Sequence, residues 1–178
     1  VFQHAIMEAY ADPAIRKIAC QCSAQSTKTV LMYFCAGWSF LEDPGPMMWV
    51  TKSKPEAVKI VEAYLWPFFE NTPKLAAQLP TDRQKKKKLS LYFGGHYFNI
   101  SGADTKAALQ SLPYRYLFLD EIRQWRPAAL EMVGKRTRSF PHNYKQFMIS
   151  CPDMEGDMMD RAFLAGTQEH WFVPCVSC

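Results

Sequence analysis

Two short stretches of this sequence carry residue types whose order suggests chemistry. The first is Cys22-Ser23-Ala24-Gln25-Ser26-Thr27-Lys28-Thr29, between an apolar run at 18–22 and an apolar stretch at 29–40. A loop that turns into a helix N-terminus aims unpaired backbone N–H groups at an anion. A lysine in that loop reaches the β- and γ-phosphates of a nucleotide, and a following hydroxyl ligates Mg²⁺. The usual form of such a loop is G-x-x-x-x-G-K-[ST]. Here Cys22 stands at the first glycine position and Thr27 at the second, so the backbone freedom that glycine supplies is missing. Taken alone, Ser-Thr-Lys-Thr also reads as an ordinary helix cap.

The second stretch is Tyr116-Leu117-Phe118-Leu119 followed by Asp120-Glu121. Four apolar residues form a buried strand that delivers two carboxylates to its carboxyl end, where open α/β sheets bind ligands. Asp120 would hold the Mg²⁺ of a nucleotide, and Glu121 would accept a proton from an attacking water. The rival reading is that the pair merely caps the next element.

Together the two stretches outweigh either alone. A strand, a Lys-Thr loop, a helix, further strands and helices, then an apolar strand ending in Asp-Glu is the order of a P-loop NTPase.

The elements that must position these groups follow from periodicity and punctuation. Helices are expected over 1–15, broken near Asp12-Pro13, over 29–40, over 55–69 with Pro55 in the first turn, over 105–112, over 127–138 and over 158–165. Pro67 should kink or finish the third of these. Strands are expected at 18–22, 47–51, 116–119, 146–150 and 171–173, with 89–93 and 97–101 forming a β-hairpin around Gly94-Gly95-His96. Short apolar strands alternating with helices argue an α/β fold, a mainly parallel central sheet flanked by helices, plus the hairpin. The type expected is a P-loop NTPase of the ASCE class. The methionine pairs at 47–48 and 158–159 read as core filling.

Ser-Ala-Gln-x-x-Lys-Thr, Leu-Pro-Tyr-Arg-Tyr-Leu-Phe-Leu-Asp-Glu-Ile and a later strand ending Ile-Ser-Cys-Pro resemble the large terminase subunit of tailed bacteriophages, in its lambda-like branch. The resemblance covers nearly the whole chain. It matches Ser23, Ala24, Gln25, Lys28 and Thr29 to the family's Walker A loop, with Thr27 where the family usually has glycine. It matches Asp120 and Glu121 to the Walker B pair, and Ser150 and Pro152 to a motif that couples hydrolysis to movement. It further implies an adenine-side contact at Phe2-Gln3. On this reading residues 23–29 and Gln3 bind nucleotide, Lys28 and Glu121 are catalytic, Thr29 and Asp120 organise Mg²⁺, and Ser150 couples. Residues 1–173 would be the ATPase domain.

Beyond that point, 174–178 would open a C-x-x-C junction segment before a nuclease domain that this sequence does not supply. Cys175 and Cys178 offer two thiolates at ligand spacing, half of a zinc site that only a longer protein could complete, or else two ordinary reduced cysteines. The implied partners are double-stranded DNA, a small terminase subunit and a capsid portal, with a ring of subunits as the working form. The implied setting is the host cytoplasm, in a phage or prophage context.

Arg83, Lys85, Lys86, Lys87 and Lys88 form a cation cluster that could sit along a phosphate backbone or simply be a solvated surface. No aromatic residue interrupts the run. Arg123, Arg126, Arg136 and Arg138 follow the Asp-Glu pair, and one of them could reach a transferring phosphoryl group; sequence does not choose among them. His4, His96, His142 and His170 share no metal-ligand spacing.

Composition sets the outer bounds. The chain has 178 residues, 48% hydrophobic and 21% charged, as a globular domain requires. The formal charge of +4 is local, because removing the five-cation cluster leaves −1. Six cysteines are too sparse for a disulfide scaffold, so reduced thiols in a cytosolic setting are expected. No apolar run spans a bilayer, and Gln3, His4 and Glu8 interrupt any leader. The function expected is an ATP-hydrolysing motor that translocates DNA into a procapsid. The alternatives are a helicase-like P-loop motor, and a degenerate P-loop module that binds DNA or packaging partners without hydrolysis.

Overall fold

The computed structural model describes residues 2–82, 84–172 and 175. Its elements are α1 (Phe2–Ala11), β1 (Lys17–Gln21), α2 (Lys28–Glu42), β2 (Met47–Thr51), α3 (Lys54–Ile60), α4 (Trp66–Asn71), α5 (Pro73–Ala76), β3 (Lys86–Lys87), β4 (Ser90–Phe93), β5 (His96–Gly102), β6 (Tyr116–Asp120), α6 (Pro127–Gly134), β7 (Lys145–Ser150) and α7 (Met158–Leu164). The seven strands make one sheet in the order β1-β7-β6-β2-β5-β4-β3. The first five in that order run parallel, and β4 and β3 are antiparallel additions at one edge.

Apolar content decides position in the sheet. Every residue of β2, β6 and β7 is buried, as a central parallel strand covered on both faces demands. On one face Trp49, Phe98, Phe118 and Phe147 pack with Tyr10 of α1 and the buried side of α2. On the other, Met48, Val50, Leu117, Leu119 and Met148 pack with Leu109, Trp125, Val133 and Met159. The methionines at 47, 48 and 159 are buried, as core filling requires. Among the described residues no helix is long and apolar enough to cross a membrane.

Several element boundaries depart from the expected ones. The third helix does not end at Pro67. Ser53 Oγ accepts from Glu56 N at 3.4 Å and Pro55 fills the first turn. The chain then widens into a π-turn, Val61–Leu65, and continues as α4. Proline has no N–H to donate four residues back and its ring would meet the Ala63 carbonyl, so a wider turn lets the helix pass. The stretch at 105–112 gives only a 3₁₀ turn, Ala108–Gln110, and α6 stops at Gly134 before a 3₁₀ segment. Lys86–Lys87 adds an unexpected third strand to the hairpin. The expected strand at 171–173 is not formed: Trp171 and Phe172 are irregular, and Val173 lies outside the described residues.

Candidate active site

β1 ends at Gln21, β7 at Ser150 and β6 at Asp120. Because β7 pairs in parallel with both neighbours, the three carboxyl ends meet at one edge of the sheet. Cys22 N donates to Ser150 O at 3.1 Å and Glu121 N to Ile149 O at 2.9 Å, carrying the pairing one step past the strands. That register brings Lys28 and Glu121 together across 93 positions of sequence.

The loop from Ser23 to Thr27 turns into α2 through two non-glycine residues in left-handed backbone, Gln25 (φ 58°) and Thr27 (φ 60°). For a β-branched residue this conformation is strained, at a cost of about 1–3 kcal/mol. Three contacts hold the loop. Ser26 Oγ donates to Ser23 O at 2.8 Å, Thr27 Oγ1 to Ser26 O at 2.6 Å, and Gln3 Nε2 of α1 to Thr27 Oγ1 at 2.6 Å. Thr27 does not cap α2 with its side chain, and no acidic residue lies in the first turn. The positive end of a 15-residue helix thus has no acidic residue in its own first turn to offset it. Ser23, Ala24 and Gln25 are exposed, and Thr29 sits half-buried in the first turn, one residue past Lys28.

Lys28 Nζ forms an ion pair with Glu121 Oε1 and donates to Cys151 Sγ at 2.7 Å. Burial alone would lower its pKa, but the bonds to Cys151 and Glu121 carry it above the usual lysine range. Glu121 leaves β6 in left-handed backbone (φ 54°, ψ 46°). Its second oxygen accepts from Ser150 Oγ at 3.3 Å and lies 3.5 Å from Arg123 Nε. Arg123 Nη1 is in turn 3.3 Å from Asp153 Oδ2 in the segment after β7.

Asp120 is 4% exposed, and its Oδ1 has no hydrogen-bond partner among the described residues. Burial, reinforced by the Glu121 charge, pushes its carboxyl up to about 7 against the pull of Lys28. A buried acceptor left in this way beside a lysine-bearing loop fits a carboxylate that takes a cation, directly or through water. Asp120 therefore fits a ligand to Mg²⁺.

Of the four candidate arginines, Arg123 is the one that lies against Glu121; Arg136 donates instead to Gln110 O at 2.9 Å, and Arg126 and Arg138 are exposed. Gln3 is where a base contact was expected, but its side-chain amide bonds to the loop. It also lines a small cavity of about 210 Å³ with Met7, Val30 and Phe34. Asp153 is not singled out by the sequence, and Cys151 enters there only within Ile-Ser-Cys-Pro and not as a partner of Lys28; they lie three residues and one residue after Ser150. Cys20 Sγ and Cys22 Sγ are 3.2 Å apart just before the loop.

The basic run lies at the far sheet edge. Lys86 forms an ion pair with Glu70, and Lys88 Nζ lies 2.7 Å from Glu62 Oε1, while Arg83 falls outside the described residues. Cys175 is exposed and Cys178 lies outside the described residues. Among the described residues no group of three or more His, Cys, Asp or Glu is arranged to hold a metal by itself.

The family model for the ATPase domain of the phage terminase large subunit gpA matches residues 2–178. No curated protein matches the chain. Among solved structures, the large terminase of a thermophilic bacteriophage in complex with ATP-γ-S aligns at TM-score 0.68 and 14% identity, over 93% of this chain and 41% of that one. The ADP complex of the same terminase gives TM-score 0.68 and 15% identity, over 93% and 42%. A mutant of the Thermus phage P74-26 large terminase ATPase domain gives TM-score 0.67 and 18% identity, over 92% and 69%. The chain thus spans about two fifths of the terminase solved with ATP-γ-S and ADP. At these identities the structures establish a shared fold, and the match along the sequence establishes more: this chain belongs to the ATPase-domain family of the phage terminase large subunit gpA.

Proposed function

We propose that this domain hydrolyses ATP with Mg²⁺ and that the terminase containing it uses the energy to drive double-stranded DNA into a procapsid. The observation that carries the reading is the meeting of Lys28, Glu121 and Ser150 at one point, beside a buried Asp120 whose Oδ1 has no hydrogen-bond partner among the described residues. A thermophilic bacteriophage large terminase of the same fold has been solved with ATP-γ-S and with ADP, which supports nucleotide binding by this domain. The small cavity between α1 and α2, walled by Met7, Val30 and Phe34 with Gln3 at its side, suits a flat base.

The chemistry follows from what each side chain must give up. Lys28 is occupied by Glu121 and Cys151, so β- and γ-phosphate oxygens must outcompete both. When Lys28 turns to phosphate, Glu121 loses one of its two cationic partners and keeps Arg123 on Oε2, leaving Oε1 free to accept a proton from water. Bound Mg²⁺ would supply charge neutralisation of the β- and γ-oxygens, held from Asp120 and Thr29. Backbone N–H groups of the loop and of the first turn of α2 would cradle the phosphates. Ser150, bonded to Glu121 Oε2, would report the carboxylate's position to β7 and the segment beyond it.

Small terminase subunit, portal and a ring of subunits are the partners this reading assigns, in the cytoplasm of a host cell carrying phage or prophage. The test is DNA-stimulated phosphate release from ATP, with Lys28→Ala and Glu121→Ala as comparisons. Loss of turnover in both, with nucleotide binding kept in Glu121→Ala, supports the assignment. Turnover untouched by both overturns it. Mg-ATP binding without turnover in the wild-type domain would identify a binding module.

A further inference from the structure

The lysine run is sorted by the sheet. Lys86 pairs with Leu91 and Lys87 with Ser90, and Tyr92 N donates to Lys85 O at 2.7 Å, which sets Lys85 opposite Tyr92. Cross-strand partners share a face and successive residues alternate. Lys86 therefore turns with buried Leu91 toward the helical layer, where it lies 5.9 Å from the Trp66 ring and pairs with Glu70. Lys88, past the strand, is matched to Glu62 on the same layer. These two cations already have carboxylate counter-charges.

Lys85 and Lys87 turn the other way, and both are exposed. Tyr92 stands on their face, 46% exposed. Half-buried Tyr97 and Asn99, opposite Tyr92 and Ser90, continue the same face. Among the described residues neither Lys85 nor Lys87 enters an ion pair with a carboxylate. Asp82, the nearest acidic residue in sequence, spends Oδ1 on Gln84 N at 2.8 Å.

We infer that Lys85, Lys87 and Tyr92 form the surface on which this domain holds the phosphate backbone of duplex DNA, an inference that rests on the reading of the domain as part of a DNA motor. Two ammonium groups without counter-charge exchange salt ions for phosphates, while a phenol hydroxyl offers a phosphate oxygen a directional bond. Lys86 and Lys88 contribute little, since a phosphate there must displace a protein carboxylate. β3 is at the opposite end of the strand order from β1, six strand spacings or roughly 29 Å away, so DNA and nucleotide do not compete for space.

The experiment measures binding of a fluorescein-labelled duplex of about 30 base pairs as a function of salt, for the wild-type chain, Lys85→Gln/Lys87→Gln and Glu62→Gln/Lys88→Gln. The last variant removes an exposed ion pair without changing net charge. Basal ATP turnover and thermal melting of each variant check that the fold is intact. The expected result is a slope of log K against log salt shallower by about 1.8 in Lys85→Gln/Lys87→Gln, from about 0.9 per phosphate contact, and unchanged in Glu62→Gln/Lys88→Gln. Equal slopes for wild type and Lys85→Gln/Lys87→Gln overturn this surface while leaving a DNA motor intact. An absence of duplex binding at low salt, with ATP still hydrolysed, overturns both the surface and the DNA-handling role of this domain.

Discussion

Gln3 Nε2 donates to Thr27 Oγ1 at 2.6 Å, tying α1 to a β-branched residue held at φ 60° where a phosphate loop usually has glycine. The same hydroxyl donates to Ser26 O at 2.6 Å, so Thr27 is clamped from both sides. The strain that glycine would avoid is offset by a bond that glycine could not make. Removing the clamp should therefore matter only while the threonine is present. Gln3→Ala is expected to weaken ATP binding about fivefold, the equivalent of about 1 kcal/mol for one hydrogen bond. In a Thr27→Gly background the same substitution should change affinity by less than about twofold. Calorimetric titration of the four proteins with ATP checks this, and an equal loss in both backgrounds would mean that Gln3 acts on the base and not on the loop.

Arg123 is placed to hold Glu121 through Oε2 and is itself held by Asp153. A carboxylate that loses one of two competing cations should rotate further toward the other, here Lys28. Arg123→Gln is expected to lower kcat for ATP about tenfold with KM changed less than about twofold, within the range that a positioned base contributes. Arg123→Lys should recover part of the loss, and Asp153→Asn should show a weaker version of it. A rise in KM with kcat unchanged would place Arg123 on substrate and not behind the glutamate.

The two chemical stretches and the buried strands could be read from residue order because each carries its own local signal. Tyr116 to Leu119 are apolar throughout and end in Asp120-Glu121, a pattern that a central parallel strand imposes. That Arg123, alone of the four arginines, lies against Glu121 was not legible, because it depends on Glu121 adopting left-handed backbone and turning one oxygen to Arg123. The π-turn that carries the helix past Pro67 was hidden for a similar reason: a wider turn has no simple periodicity. Trp171 and Phe172 look like strand residues, yet their backbone is irregular, because aromatic content alone does not make a strand. The lysine run contains no aromatic residue, but the register sets Tyr92 beside Lys85, a neighbour visible only after the hairpin is paired.

Asp120 is expected to make the nucleotide-free domain sensitive to pH. Its carboxyl is raised from 3.8 to about 7 by burial, so the folded chain keeps a proton that the unfolded chain releases between those values. The unfolded state then binds fewer protons, and stability falls as pH rises through the window. Asp120→Asn removes this dependence. Relative to that variant, the wild-type domain without Mg²⁺ should lose up to about 4 kcal/mol between about pH 4 and pH 7, roughly three units at about 1.4 kcal/mol each. Urea unfolding at several pH values measures it. Parallel curves for the two proteins would show that Asp120 is ionised throughout, with its charge already compensated.

Cys22 offers a direct probe of the loop. Its thiol is held below the usual range, at about 7, by the hydrogen bond from Cys20, while Ser26 and the Lys28 charge act in the same direction and burial opposes them. Cys20 is pushed upward by that bond and by burial, and burial alone carries Cys35 to about 12. The thiolate is the reactive form, so iodoacetamide at about pH 7.5 should label Cys22 well before Cys20 or Cys35. Because Cys22 precedes a loop that would close around phosphates, Mg-ATP should slow its labelling by about fivefold or more. This follows if bound nucleotide protects the loop as it would stabilise the whole fold. Peptide mass spectrometry of timed samples reads both effects. Labelling of Cys22 at the same rate with and without Mg-ATP, in a protein that demonstrably binds ATP, would put the phosphates away from this loop.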